Sequence, residues 1–108
     1  MRRLSTLGEK RFYTYMLASG PNGTLYTGHT DDLAHRIRAH REKRIPGFTA
    51  TYDVTKLVWF EGHEDRSNAF RRERQIKEWR RAWKIRLIQE ENPQWRDLYE
   101  ELNDLLSF

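Results

Sequence analysis

Leu25-Tyr26-Thr27-Gly28-His29-Thr30-Asp31-Asp32-Leu33 is the stretch on which the reading of this chain turns. A β-rich run ending in Tyr and Gly passes through Thr30, a good N-cap, into Asp31 and Asp32. Both acids suit the first turn of a helix, where they answer its free N–H groups and its dipole. The helix is expected to run to about Lys43 and to stop before Pro46-Gly47. At about 100° per residue, Leu33 and Ile37 form its buried stripe. Arg36 and His40 fall on the edge of that stripe, against the sheet margin, while Arg41 and Lys43 look to solvent or a ligand.

Upstream, Phe12 to Ala18 is rich in aromatic residues, and Ser19-Gly20-Pro21-Asn22-Gly23 separates it from Thr24-Leu25-Tyr26-Thr27. Two β-rich runs joined by Gly, Pro and Asn read as a hairpin. With a loop of Ser19 to Asn22, Ala18 faces Gly23 and Tyr15 lies directly opposite Tyr26. Residues 1–10 lack periodicity and are expected to form an arm, leaving 11–108 as a single domain.

Downstream, Phe48 to Asp53 reads as loop and Thr55 to Glu61 as a third strand. Ser67 is a candidate cap for a long helical pattern with Ala69, Ile76, Trp79, Trp83 and Leu87 on one apolar stripe. Glu73, Lys77, Arg80 and Lys84 form a polar stripe beside it. A break between Glu78 and Arg81 would make two helices of one, and the pattern allows either. Asn92-Pro93 ends the run, and Gln94 to about Leu105 forms a last amphipathic segment that packs Trp95, Leu98, Tyr99 and Leu102. The Trp79/Trp83 stripe is expected in the core rather than as a base-stacking platform. The fold class is α+β, a small three-stranded antiparallel sheet flanked by helices, with elements in the order β-β-α-β-α-(α)-α.

The 108 residues hold no cysteine, which removes disulfides, thiolate chemistry and Cys-based zinc sites and agrees with a reducing compartment. No apolar run reaches the roughly 18 residues of a membrane span, so a cytoplasmic protein with no membrane partner is the expectation. Charge is unevenly distributed. Residues 66–86 carry nine Lys or Arg against Glu73 and Glu78, whereas 87–108 carry Arg96 against six acids. The basic block is a footprint for polyanions, although pairing with the acidic tail would account for it equally well.

Tyr15, Tyr26, Arg36, His40 and Glu73 are thus expected at the margin of the core. Two phenols, a guanidinium, an imidazole and one carboxylate do not make a Ser/His/Asp or zinc site. They suit phosphodiester hydrolysis: a carboxylate can hold a Mg²⁺ that keeps its waters, an Arg can stabilise charge on phosphate oxygens, and a phenol or imidazole can accept a proton from water. With reference pKa values of about 10 for Tyr and about 6.5 for His, His40 is the better base on that criterion alone.

Tyr13-Thr14-Tyr15, Tyr26-Thr27-Gly28, Thr30 with Leu33 and Arg36, His40, Gly47-Phe48-Thr49, and Ala69 with Glu73 occur in an order that resembles the GIY-YIG nuclease superfamily. The likeness covers about residues 11–95 and is nearest to small stand-alone bacterial members related to the N-terminal nuclease domain of excinuclease C. The resemblance implies a DNA endonuclease that uses Mg²⁺ or Mn²⁺. A domain this small has little surface for reading a long sequence, so structure-selective or weakly sequence-specific cutting, of single-stranded or branched DNA for example, is expected, in DNA repair or processing and by a monomer or transient dimer. The resemblance also implies Tyr15 as general base, Tyr26 as water-positioning or relay group, Arg36 on the scissile phosphate, His40 assisting, and Glu73 as metal ligand. Arg41, Arg71, Arg72, Lys77, Arg81 and Lys84 are the candidate DNA-binding residues. The first motif departs from Gly-Ile-Tyr, and the asparagine many members carry after the metal ligand has no clear counterpart, Lys77 or Lys84 being possible substitutes. A non-catalytic nucleic-acid-binding module and a small protein-docking domain are the alternatives from other classes.

Overall fold

The computed structural model describes residues 12–106, with side chains to residue 102; the expected arm at 1–10 lies outside them. In chain order the elements are β1 (Phe12–Ala18), β2 (Leu25–Thr30), α1 (Leu33–Arg41), α2 (Phe48–Thr51), β3 (Lys56–His63), α3 (Arg66–Lys77), α4 (Arg81–Glu91) and α5 (Tyr99–Leu106). The three strands form one antiparallel sheet in the order β2-β1-β3, so the aromatic first strand is central and β2 is an edge.

The sheet separates two cores. On one face Tyr13, Tyr15, Leu17 and Phe60 pack with Leu33 and Ile37 of α1 and Leu102 of α5. On the other Met16, Ala18, Val58 and Trp59 pack with Ile76 of α3, Ile88 of α4 and Trp95. A register shift between Met16 and Leu17 leaves Val58 as an extra residue in β3, and such a bulge lets consecutive Val58 and Trp59 both reach the second core.

The hairpin register corrects the expected one. Ala18 pairs with Leu25, not Gly23, and Tyr15 pairs with Gly28, not Tyr26. The turn is Gly20 to Gly23, with Gly23 N–H donating to Gly20 C=O at 2.9 Å. Pro21 occupies its second position and Asn22, at φ 56°, its third, which is the pattern of a type II turn. The Ser19 hydroxyl then accepts from Thr24 N–H at 3.0 Å, keeping Thr24 in the loop. Because the register moves by two residues, side-chain parity survives. Tyr15 and Tyr26 still share a face, diagonally, with ring centroids 6.3 Å apart.

Other local expectations also shift. Strand β2 extends through Thr30, paired with Tyr13, so Asp32 rather than Thr30 caps α1, accepting from His35 N–H at 3.2 Å. The Thr30 hydroxyl instead accepts from Asp32 N–H at 3.1 Å, and neither acid lies in the helix's first turn. Helix α1 stops at Arg41, not Lys43. Phe48–Thr51 is a helical turn, not loop: Gly47 enters it at φ 113° and its carbonyl accepts from Thr51 N–H. Asp65, not Ser67, caps α3, accepting from Asn68 N–H at 2.8 Å. Residues 78–80 break the long helical pattern into α3 and α4. Asn92 ends α4 and is fully engaged, its amide donating to Val58 and Arg96 carbonyls while its oxygen accepts from Arg96 N–H.

Candidate active site

The free edge of β2 is where the site forms. Antiparallel partners share a face, so Tyr15, Tyr26 and Gly28 lie on the α1 side of the sheet and Thr27 and His29 on the α3 side. A side chain at position 28 would occupy the passage between the two: a Cβ built on Gly28 would fall 2.7 Å from Tyr15 Oη and 3.0 Å from Tyr26 Cε2. Without it, groups from both faces meet in an open depression of about 290 Å³ whose wall includes Tyr15, Tyr26, His29, Arg36, Arg66 and Glu73.

On the α1 side, the expected edge position of His40 is wrong. His40 is fully buried behind Tyr15, because the stripe of Leu33 and Ile37 is widened by α2, which closes over it. Tyr15 Oη and His40 Nε2 are 3.1 Å apart, and His40 Nδ1 and Thr49 Oγ1 are 3.0 Å apart. Burial, helped by the Arg36 charge, lowers the His40 pKa to about 4, so the ring is neutral at neutral pH. Burial also raises the Tyr15 pKa above its usual value; the Tyr26 phenol adds to the rise, and the Arg36 charge and hydrogen bond oppose it. A neutral imidazole has one donor and one acceptor nitrogen, so with the Tyr15 O–H donating to Nε2 the ring's Nδ1–H donates to Thr49. Arg36 itself is exposed on the wall of the depression, as the helical phase predicts.

On the α3 side, Glu73 is a buried carboxylate with a donor near each oxygen. His29 Nδ1–H donates to Oε1 at 2.6 Å and Lys77 Nζ to Oε2 at 2.6 Å. The His29 ring meets Phe70 edge-on at 5.3 Å, and the Lys77 ammonium lies 5.8 Å from the centre of the Tyr26 ring. Among the described residues there is no group of three or more His, Asp or Glu able to enclose a metal ion. The single carboxylate of Glu73 is a donor of the type that suits a hard cation that keeps most of its waters, as Mg²⁺ does. A carboxylate offers about four lone-pair sites, so Glu73 retains acceptor capacity beside His29 and Lys77.

The two sides are joined along a seam in which α3 runs antiparallel to β2. Arg66 meets Asp31 at 3.0 Å, Glu73 meets His29, Lys77 meets Tyr26, and Arg81 donates to the carbonyls of Asn22 and Gly23 at 2.7 and 2.8 Å. The other candidate DNA-binding residues divide. Arg71 is exposed. Arg72 is half-buried, paired with Glu61 and lying over the rings of Trp59 and Trp79. Arg41 is exposed, as expected, and is paired with Asp97 and the Tyr99 ring of α5, and Lys84 is half-buried. His29, Thr49 and Arg66 escaped the sequence reading. For His29 the available signal was its place one residue after Gly28 in an edge strand, and for Thr49 the Gly47-Phe48-Thr49 match.

A three-stranded antiparallel sheet carrying two phenols, an Arg and a carboxylate across its β2 edge defines a protein of the GIY-YIG nuclease superfamily. The chain belongs to that family: residues 11–86 match its GIY-YIG catalytic domain. Among its relatives is a UPF0213 protein from Staphylococcus aureus strain COL, 36% identical over 69 residues, which make up 64% of this chain and 84% of the relative. The solution NMR structure of a UPF0213 protein from Bacillus halodurans is similar at a TM-score of 0.50 and 26% identity, covering 80% of this chain and 90% of that one. No described helix is long and apolar enough to cross a membrane.

Proposed function

We propose that this protein is a divalent-metal-dependent DNA endonuclease. The observation that carries the reading is the convergence of Tyr15, Tyr26, Arg36 and Glu73 on one open depression, with neutral His40 hydrogen-bonded behind Tyr15. A scissile phosphate in the depression is met by Arg36, whose guanidinium stabilises charge developing on the phosphoryl oxygens. Tyr15 is the general base by relay: its oxygen takes a proton from the attacking water while its own proton passes to His40 Nε2. The imidazolium that forms is held by its Nδ1–H bond to Thr49. The relay explains how a phenol with a raised pKa can serve as base, since no free phenolate is needed. Tyr26, beside Tyr15 and under the Lys77 ammonium, orients the water.

Glu73 would hold the cation, with His29 fixing the carboxylate's rotamer through Oε1. A bound Mg²⁺ or Mn²⁺ supplies Lewis-acid polarisation of the phosphate and neutralisation of the leaving oxyanion. The basic residues of α3 and α4 supply the attraction for DNA, which is sequence-independent, and structure-selective or weakly specific cutting in DNA repair or processing follows. The test is incubation with single-stranded, duplex and branched DNA plus Mg²⁺ or Mn²⁺. Cleavage that disappears in Arg36→Ala and Glu73→Ala is expected; no cleavage of any substrate, or cleavage equal in both variants, overturns the reading.

A second reading, a nucleic-acid-binding module without cleavage, is favoured by the engagement of both Glu73 oxygens with His29 and Lys77. It predicts salt-dependent binding unaffected by chelators and retained in Glu73→Ala.

A further inference from the structure

A second depression, of about 260 Å³, is lined by Trp79, Trp83, Arg86, Leu87 and Glu90. The expectation that the Trp79/Trp83 stripe is core holds for one indole only. Trp79 is half-buried and packs against the second core, but Trp83 is 46% exposed. The break at residues 78–80 causes this, since it turns α4 away from the line of α3 and carries Trp83 outward. The two rings meet edge to face at 6.2 Å. The Arg80 guanidinium lies 5.2 Å from the centre of the Trp83 ring and Arg72 5.4 Å from that of Trp79.

A large indole face left in water beside arginines is a surface suited to a flat, anionic-backbone ligand. Aromatic rings set in a basic groove are how proteins bind single-stranded nucleic acid, because every base has a face to stack. Arg86 lines the groove with Glu90, and Arg80 and Arg72 lie over its two indoles; three guanidiniums against one carboxylate favour a polyanion over an acidic or apolar peptide. Trp79 follows Glu73 by six residues, just past the end of α3 at Lys77. Bases inside a duplex offer only their edges, their faces being covered by neighbours.

We propose that the Trp79/Trp83 groove takes an unpaired base of single-stranded DNA, stacked on Trp83 with flanking phosphates on Arg80 and Arg86, and so selects single-stranded segments for the site at Tyr15 and Arg36. The proposal rests on the DNA-cleaving reading for its purpose but is tested by binding alone. The full chain, without added divalent cation, is titrated into fluorescent oligothymidine and into a blunt duplex of equal length. Trp83→Ala is expected to weaken the single strand about 5-fold to 100-fold, the range of one base–aromatic stack, while duplex binding holds and Trp83→Phe restores most of the loss. An abasic oligonucleotide should bind the unaltered protein as weakly as oligothymidine binds Trp83→Ala. Equal weakening for both DNAs, or none, overturns the proposal. So does a change from dimer to monomer in Trp83→Ala with DNA affinity unaltered, which would assign the groove to a second copy of the chain. Binding through Trp83 without cleavage on any substrate would remove the nuclease reading and leave this one standing; cleavage with Trp83→Ala binding unaltered would do the reverse.

Discussion

The two sides of the β2 edge are built on opposite principles. On the α1 side Tyr15, His40 and Thr49 form a buried chain of neutral groups, each satisfied by the next. On the α3 side Glu73 is a buried carboxylate with His29 on one oxygen and Lys77, about half exposed, on the other. The first arrangement fixes positions, because an unsatisfied buried polar atom is costly and the chain has one low-energy pattern. The second keeps a carboxylate within reach of a competing cation, because its Lys77 partner stands half in solvent. A site for phosphodiester hydrolysis needs both: a proton path that does not wander and a carboxylate that can change partners.

The comparison breaks first at Arg36, which serves both sides. Arg36→Ala is expected to lower kcat for DNA cleavage by about 10²-fold to 10³-fold, the cost of one preorganised donor on a developing oxyanion, measured in single-turnover assays. Next is Tyr15→Phe, which keeps the ring in the core and removes only the hydroxyl. A loss of about 10²-fold or more is expected, with a lowered melting temperature because buried His40 Nε2 loses its partner, and a smaller loss in rate would move the proton path elsewhere. Gly28→Ala tests the passage between the sides. The added methyl collides with the buried Tyr15 ring, so strand and ring must shift apart, and about 10²-fold in rate is expected from misplacement of the order of 1 Å.

The pH dependence sharpens the neutral side. His40 has a folded-state pKa of about 4, below the unfolded value of about 6.5. The unfolded chain therefore takes up its proton first on acidification. The stability this represents, up to roughly 3 kcal/mol, is present above pH 6.5 and is lost as pH falls towards 4. Denaturant unfolding across that window should show the slope in the unaltered protein and less of it in His40→Gln. The smallest effects are on the charged side. His29→Ala should weaken Mn²⁺ binding about 10-fold, as loss of a partner behind a metal ligand does, and Lys77→Met should strengthen it by a few-fold by removing a competitor for Glu73. Isothermal titration reads both without reference to cleavage.

Much of the α1 side is legible in the sequence, because it is carried by local signals: strand alternation, turn residues and helical phase bring Tyr15, Tyr26 and Arg36 together. Even a two-residue error in the hairpin register leaves them so, since parity decides the face. His40 is misplaced because its burial depends on α2, a four-residue turn with no periodicity to read. On the α3 side helical phase sets Glu73 at the core margin, but its part in the site is read through the order of motifs. Its partner His29 lies 44 positions away, and no pattern along the chain announces a contact made by docking one element on another. Trp83 fails for a related reason: the stripe is continuous in sequence, and only the break after Lys77 exposes its far end.

That the seam joins β2 to α3 also has a consequence for synthesis. A nascent chain that has emerged through β3 already holds both phenols, Arg36, His40 and Thr49, but Glu73, His29's acceptor, follows later. Chains grow at roughly 5–20 residues per second, so the half-site stands without its carboxylate for about a second. The order of translation itself thus keeps an incompletely folded chain from assembling the full set of groups, and the last of them arrives only with α3.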